Sequence, residues 1–403
     1  MKADDRGTVV IVCNAMSDAL RRHRAINTDS PAASKKVFGM CEALSRQGWR
    51  VRCLSLGRGG GAYSRGYYPP MVERQAGYAV LYAGFSAVRG WTYLRSAFSL
   101  WWHFLRVAGG ARVTVIYYNR FSYYIPLALW ARWSSLIGPT RCVVDLEDGT
   151  PVTAIESPFL RLVQSLRGDL FDVLAPHGAL LACEALRSQT SVTKAMAYYG
   201  IVDQGSAGKP YLSGPFHVLM GGTISQETGA ATLLSAIAVL RAKGRADDSR
   251  IVFHVSGMGP LLGSFAQLVG HDSGVEVVVH GRLSAEAYGE MRSGCHAGLA
   301  LKQVGGPLAS TTFPSKVIEY ASHGMLVIST DISDVRSVLG DEGAYFLSSS
   351  TPGELASILA HCAANPVAVQ RVADSGHRRV MERCNAEAAG LQLSAFLGEM
   401  VGA

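Results

Sequence analysis

The chain has 403 residues, 48% apolar and 17% charged, which excludes a disordered polypeptide and exceeds what one hydrophobic core usually serves, so two domains are expected. Its net charge of +7 is uneven, +10 over residues 1–205 against −3 over residues 206–403. Its eight cysteines include no CxxC pair, and no apolar run reaches the ~18 residues of a membrane-spanning helix.

Most of the cysteines sit in apolar runs, which argues against a metal site or a disulfide framework and fits a reducing cytoplasm. The N-terminus, MKADDRG, lacks the apolar core of a signal peptide.

Strand and helix signals alternate throughout, predicting an α/β chain with largely parallel sheets covered on both faces. VVIVCNA (9–15) reads as a buried strand. The loop INTDSPAAS follows, then the helix KKVFGMCEALSRQG and the strand WRVRCLSLG. ARVTVIYYN and TRCVVDLEDG are later strands of the same half, which ALLACEALRSQ and KAMAYYGI close. DLEDGTP sets Glu147 and Asp148 at a strand's carboxyl end, where an acid can orient an acceptor hydroxyl or a sugar, or serve as general base in an inverting reaction. An ordinary turn acid is the competing reading. His177, before an apolar run, reads as a loop or core residue, and the other histidines lack metal-ligand spacing.

From Arg74 to Val144 there is no acidic residue but there are eight arginines, and five of the six tryptophans lie there. In YLRSAFSLWWHFLRV, helical spacing puts Leu94, Ala97, Phe98, Trp101, Phe104 and Leu105 on a core face, with Arg95, Ser99, Trp102 and Arg106 opposite. Tryptophan between arginines suits an anionic membrane surface, and an ordinary amphipathic helix is the competing reading. Nucleic acid is not expected as a partner, because no recognisable module accompanies the charge.

DQGSAGKPYLSGP (203–215) reads as a linker. The expected domains are therefore 1–205 and 206–384, with 385–403 a C-terminal helix that can pack back on the N-terminal domain. The second half supplies the strands FHVLMGG, RIVFHVSGMG, GVEVVVHGRL, HAGLALK, MLVIST and GAYFLSS, with helices between and a helical end from about Glu354. Gly257, Gly259 and Gly263 miss the dinucleotide spacing by one residue. Gly281–Arg282 makes a bend where a base could lie against backbone.

TTFPSKVIEYASHGMLVIST (311–330) carries the strongest signal. Pro314 suits a first helical position, Thr311 or Thr312 can cap, and Gly324 ends the helix. Ser315 and Lys316 then stand where an anion would be received, and Glu319 where a carboxylate could accept hydrogen bonds from ribose hydroxyls.

These residues resemble the nucleotide-binding half of glycosyltransferases of the two-Rossmann, or GT-B, fold, family 4 in particular. The likeness runs over about residues 216–340, through Gly221–Gly222, VSGMGP, VVHGRL and above all FPSKVIEYASHGMLVIST. It implies two doubly wound domains facing across a cleft and a metal-independent, usually retaining, sugar transfer from a nucleotide donor without a bound cofactor. It also implies ribose binding by Glu319 and a diphosphate cradle including Ser315 and Lys316, with Gly222, Gly257, Gly281, Arg282 and Pro314 nearby. The chain departs from the family pattern at Thr311, where an acid is common, and at Thr223 and Thr228, where basic residues are common. The phosphate charge then falls to Lys316, backbone N–H groups, and Arg282 or Lys302.

The expected enzyme is a hexosyltransferase-like protein of surface polysaccharide assembly, cytoplasmic or peripheral on the inner membrane face, with a saccharide or lipid-linked acceptor. A nucleotide-sugar epimerase of the same plan and an inactive scaffold are the alternatives.

Overall fold

The computed structural model describes residues 6–26, 31–58, 66–86, 88, 91–108, 112–147, 158–202, 211, 213–244, 250–305 and 310–401. The chain divides into two compact units, Met1–Ile201 with Ala386–Ala403, and Val202–Asn385.

The first unit is built on an eight-stranded sheet. Its elements begin with β1 (Thr8–Cys13), α1 (Asp18–His23), α2 (Pro31–Arg46) and β2 (Arg50–Ser55). The short strands β3 (Tyr67–Tyr68), β4 (Met71–Gln75), β5 (Tyr78–Tyr82) and β6 (Phe85–Ser86) follow. Then come α3 (Thr92–Val107), β7 (Val113–Tyr118), α4 (Ile125–Ile137), β8 (Thr140–Leu146), α5 (Pro158–Leu174), β9 (Gly178–Leu181) and β10 (Ala195–Ala197). The order β10-β9-β8-β7-β1-β2-β5-β4 is parallel except for β4 against β5. All six residues of β1, TVVIVC, are buried, as expected of a central parallel strand covered on both faces.

The second unit runs β11 (Phe216–Thr223), α6 (Ala230–Lys243), β12 (Ile251–Met258), α7 (Leu262–Ala266), β13 (Gly270–Asp272) and β14 (Val275–Gly281). It continues with α8 (Ala285–Ser293), β15 (Ala297–Ala300), α9 (Lys316–Ser322), β16 (Leu326–Thr330), α10 (Val335–Leu339) and β17 (Tyr345–Leu347). The helices α11 (Pro352–Ala364) and α12 (Pro366–Cys384) close it. The strand order is β13-β14-β12-β11-β15-β16-β17, parallel except for the edge strand β13. The order reverses between β11 and β15, and ligands of open parallel sheets bind outside the carboxyl ends of the strands at such a point.

The last helix, α13 (Ala386–Val401), belongs to the first unit and packs on α2. Leu393, Phe396, Leu397 and Met400 enter that unit's core beside Val37, Met40 and Leu44. Ser394 accepts from the Trp49 indole at 2.9 Å and from Arg6 at 3.0 Å.

Two sequence expectations need correction. The helix of the FPSK segment is shorter than 314–324, running Lys316–Ser322 with Ser315 at its N-cap and no side-chain cap bond, so neither Thr311 nor Thr312 caps it. On α3 the buried residues are Ser96, Ala97, Leu100 and Phe104, whereas Leu94, Phe98 and Leu105 are exposed. The inward stripe runs through Ser96, Ala97, Leu100 and Phe104, displaced round the helix from the face the spacing suggests.

Candidate functional site

Helix α9 buries Val317, Ile318, Tyr320 and Ala321, which leaves Lys316 and Glu319, one turn apart, on its open side. The Lys316 ammonium donates to Glu319 Oε2 at 2.7 Å. The other carboxylate oxygen, Oε1, accepts from Arg292 Nη1 at 2.9 Å. Arg292 comes from the last turn of α8, a helix with no buried residue. Its Nη2 donates to His323 Nε2 at 2.7 Å, and His323 Nδ1 donates to the Glu319 carbonyl at 2.8 Å. That pairing assigns the neutral Nδ1–H tautomer to His323 and locks the guanidinium between the carboxylate and the ring. Burial alone would raise the Glu319 carboxyl, but Lys316 and Arg292 outweigh it and hold the group below its usual value.

Two tyrosines frame the cations. Lys316 donates to the Tyr288 hydroxyl at 3.1 Å and lies 4.8 Å from that ring's centre, while the Tyr320 hydroxyl accepts from the Gly221 N–H at 3.2 Å. This ties α9 to the carboxyl end of β11. A Cβ at Gly221 would stand 2.6 Å from the Tyr288 hydroxyl, so the contact needs glycine there. Gly222 lies against the Lys316 side chain, paired in register with Gly257 on β12, and Gly281 ends the next strand, paired with Ser256. Gly257, at φ +143°, carries its Cα so close to the Gly222 carbonyl that a Cβ would meet the oxygen at 1.7 Å. The glycines read from the sequence thus line adjacent strand ends, with the two cations and the carboxylate beside the first of them.

The remaining predicted residues fall around this edge. Thr223 is exposed just past Gly222, and Arg282 is exposed just past Gly281. Thr228 acts within the turn instead, donating to the Thr223 carbonyl at 2.7 Å and accepting from the Ser225 N–H at 3.1 Å. Thr312 is buried, Pro314 is half-buried and Ser315 is exposed. The Thr311 Oγ1 is shielded from solvent and has no hydrogen-bond partner among the described residues.

In the first unit, β8 delivers Asp145 and Glu147 to its carboxyl end, and Asp148 lies outside the described residues, as does Ser30 of the first loop. Lys36 of α2 bonds Glu147 Oε1 and stands 3.6 Å from Asp145 Oδ1. It also lies 5.0 Å from the centre of the Tyr198 ring. Asp145 is fully buried, and among the described residues neither of its carboxylate oxygens has a hydrogen-bond partner within 3.5 Å. Burial pushes its carboxyl well up, Lys36 pulls the other way, and Glu147 adds to the rise. His177 accepts the Cys142 N–H at 3.0 Å near the start of β8.

Arg292, Tyr288, Lys36 and Asp145 were not singled out by sequence reasoning. Tyr288 and Arg292 stand four apart in AEAYGEMRSG, a helix too polar to have a core face, and that polarity was the available signal. The fold also assembles histidines that lack any linear spacing. His217, His254 and His280 form a chain across β11, β12 and β14 with ring nitrogens 2.9 and 3.0 Å apart, and His296 accepts the His217 N–H at 3.0 Å.

Residues 215–365 match the family model described as Glycosyl transferases group 1. No curated protein sequence matches the chain. Among solved structures, sucrose-phosphate synthase from Thermosynechococcus elongatus matches with a TM-score of 0.69 and 13% identity, over 98% of this chain and 99% of that one. An alpha,alpha-trehalose-phosphate synthase (UDP-forming) from Burkholderia vietnamiensis matches at 0.66 and 12%, over 98% and 100%. Anabaena HepE in complex with UDP matches at 0.61 and 11%, over 97% and 100%. The chain has the fold of these GT-B glycosyltransferases, with two Rossmann-like domains.

Proposed function

We propose that this chain is a metal-independent, retaining glycosyltransferase of the family 4 type. It transfers a sugar from a nucleotide-sugar donor to a saccharide or lipid-linked acceptor in surface polysaccharide assembly, in the cytoplasm and on the inner membrane face. The observation that carries the reading is the group formed by Lys316, Arg292 and Glu319 beside Gly222, at the carboxyl edge where the strand order reverses.

Two cations share one carboxylate there, so one positive charge is left over for a diphosphate. Glu319, kept ionised by both neighbours, is fitted to accept hydrogen bonds from ribose hydroxyls. The glycine-lined strand ends let phosphate oxygens approach backbone N–H groups closely. In the transfer, the bond from the anomeric carbon to phosphate oxygen breaks and the nucleoside diphosphate leaves with the electron pair. The acceptor oxygen bonds the anomeric carbon on the face the diphosphate leaves, and its proton passes to the departing diphosphate oxygen. Lys316 opposes the charge growing on the leaving group, the task a metal ion performs in other transferases. In the first unit, Glu147, held by Lys36, is the residue assigned to orienting a sugar hydroxyl.

HepE is known in complex with UDP and with UDP-glucose, and the trehalose-phosphate synthase is UDP-forming, which makes uridine donors the first to try. The test is a thermal-shift screen of UDP-, GDP- and other nucleotide sugars, followed by donor hydrolysis with the strongest binder. Stabilisation with slow hydrolysis supports a transferase. Stabilisation without turnover, with or without acceptor saccharides, points to a scaffold. No stabilisation by any nucleotide removes the reading.

A further inference from the structure

A chain this size normally buries the large side chains of a helix pair that packs on its sheet. Here α3 and α4 pack on one another, yet the outer surface of the pair is apolar. On α3, Leu94, Phe98, Trp102 and Leu105 form a stripe at helical spacing, with Leu94 and Phe98 62% and 60% exposed. On α4, Trp130, Trp133, Leu136 and Ile137 do the same, with Leu136 and Ile137 67% and 69% exposed. The stripes join through an aromatic seam: Phe98 lies 5.8 Å from Trp101, Trp101 6.4 Å from Trp130, and Trp130 5.2 Å from Trp133, between ring centres. An apolar area continuous across two helices is not the scatter of single exposed residues that soluble surfaces ordinarily show.

The charge carried by the two helices themselves is of one sign. The sequence has no acid between Arg74 and Val144. Arg95 and Arg106 are exposed on α3, Arg106 held 4.8 Å from the Trp102 ring centre and Arg95 4.3 Å from that of Tyr67. Tryptophan rings with arginines beside them suit the boundary between lipid headgroups and acyl chains, where the ring is half apolar and the guanidinium meets phosphate. A second copy of the chain is a poor occupant, because a two-fold contact sets the same patch against itself and would oppose arginine with arginine. No helix among the described residues is long and apolar enough to cross a membrane.

We infer that the outer face of α3 and α4 is a docking surface for an anionic lipid bilayer, which inserts Phe98, Trp102, Trp133 and their neighbours at headgroup depth without spanning it. The contact itself stands apart from the transfer reading. Only its use, presenting a lipid-linked acceptor to the first unit, rests on that reading.

Flotation of the full chain with phosphatidylglycerol/phosphatidylcholine vesicles and with phosphatidylcholine vesicles tests it. Binding to the anionic vesicles that weakens in high salt, and at least tenfold weaker binding to the neutral ones, is expected. The variants Phe98→Asp with Leu136→Asp, and separately Arg95→Ala with Arg106→Ala, should each lower vesicle binding at least tenfold. Their melting temperature and nucleotide-sugar stabilisation should match the parent. Those controls separate a lost surface from a lost fold, and failure of docking from failure of the donor assignment. The inference is overturned if the parent ignores anionic vesicles, if it binds both vesicle types equally, or if light scattering shows a dimer that the Asp variant dissociates and that does not float.

Discussion

Arg292 reaches Glu319 from another helix, donating to Oε1 at 2.9 Å while Lys316 holds Oε2 at 2.7 Å, so both oxygens of one carboxylate are occupied by cations. The group is poised by mutual pairing, and an arriving ribose must share the carboxylate with them. Glu319→Gln keeps the shape and removes the charge. Donor affinity should fall about tenfold or more, with a smaller change in kcat, because the ribose contact exists equally before and during transfer. Titration calorimetry with the donor found by screening decides it; unchanged affinity would remove Glu319 from the ribose role.

Lys316→Ala should act on the other parameter. The charge it opposes grows as the sugar–phosphate bond breaks, and one such donor is typically worth ~3 kcal/mol, or about two orders of magnitude in kcat. Its removal should also leave Arg292 as the sole ionic partner of Glu319 among those described, so affinity changes modestly. Steady-state kinetics with kcat intact in the variant would count against the leaving-group assignment.

Gly257→Ala should damage both fold and site. Its Cβ would collide with the Gly222 carbonyl at 1.7 Å from a backbone conformation that side chains avoid, so β11 and β12 must part at their carboxyl ends. We expect a loss of about 1–3 kcal/mol in urea unfolding, with weakened nucleotide stabilisation. Gly263→Ala, in helix α7 with open space at the Cβ, is the control and should leave stability unchanged or raise it by up to about 1 kcal/mol.

Acid should destabilise the second unit through His254. Burial, with His217 and His280 nearby, pushes its pKa down to about 4, against about 6.5 when unfolded. Between those values the unfolded chain binds the extra proton. The contribution is therefore constant above about pH 6.5 and is lost as pH falls toward 4. His254→Gln, which cannot titrate, should flatten the dependence of melting temperature on pH between 7 and 5. An identical slope in parent and variant would show that other groups set it.

How far the sequence foretold this site follows from how each part is encoded. Lys316 and Glu319 sit in one helix at a spacing that makes them neighbours, so a local reading finds them. Arg292 belongs to the site only because the fold brings the last turn of α8 beside α9, and no local spacing records that. The strand ends were legible from Gly222, Gly257 and Gly281, since a backbone without side chains is conspicuous in an apolar run. Leu94 and Phe98 misled for the opposite reason: helical periodicity identifies an apolar stripe but not what covers it. Glu147 was visible at a strand end, whereas its cation, Lys36, lies in a helix more than a hundred residues earlier. The antiparallel additions β4 and β13 were too short and too polar to register as alternation.

The return of α13 to α2 has a consequence for how the protein can be taken apart. Val202 donates to the Cys384 carbonyl at 2.8 Å and bridges to Asn385, so the entry and exit of the second unit are adjacent. That unit is topologically an insert, spliced into a host whose last segment is supplied after it. Excising 202–385 as a separate fragment leaves its seven-stranded sheet whole. Clipping the chain after Asn385 instead strips Leu393, Phe396, Leu397 and Met400 from the other hydrophobic interior. Modular swapping of donor specificity would therefore cut at two junctions lying side by side, never at one.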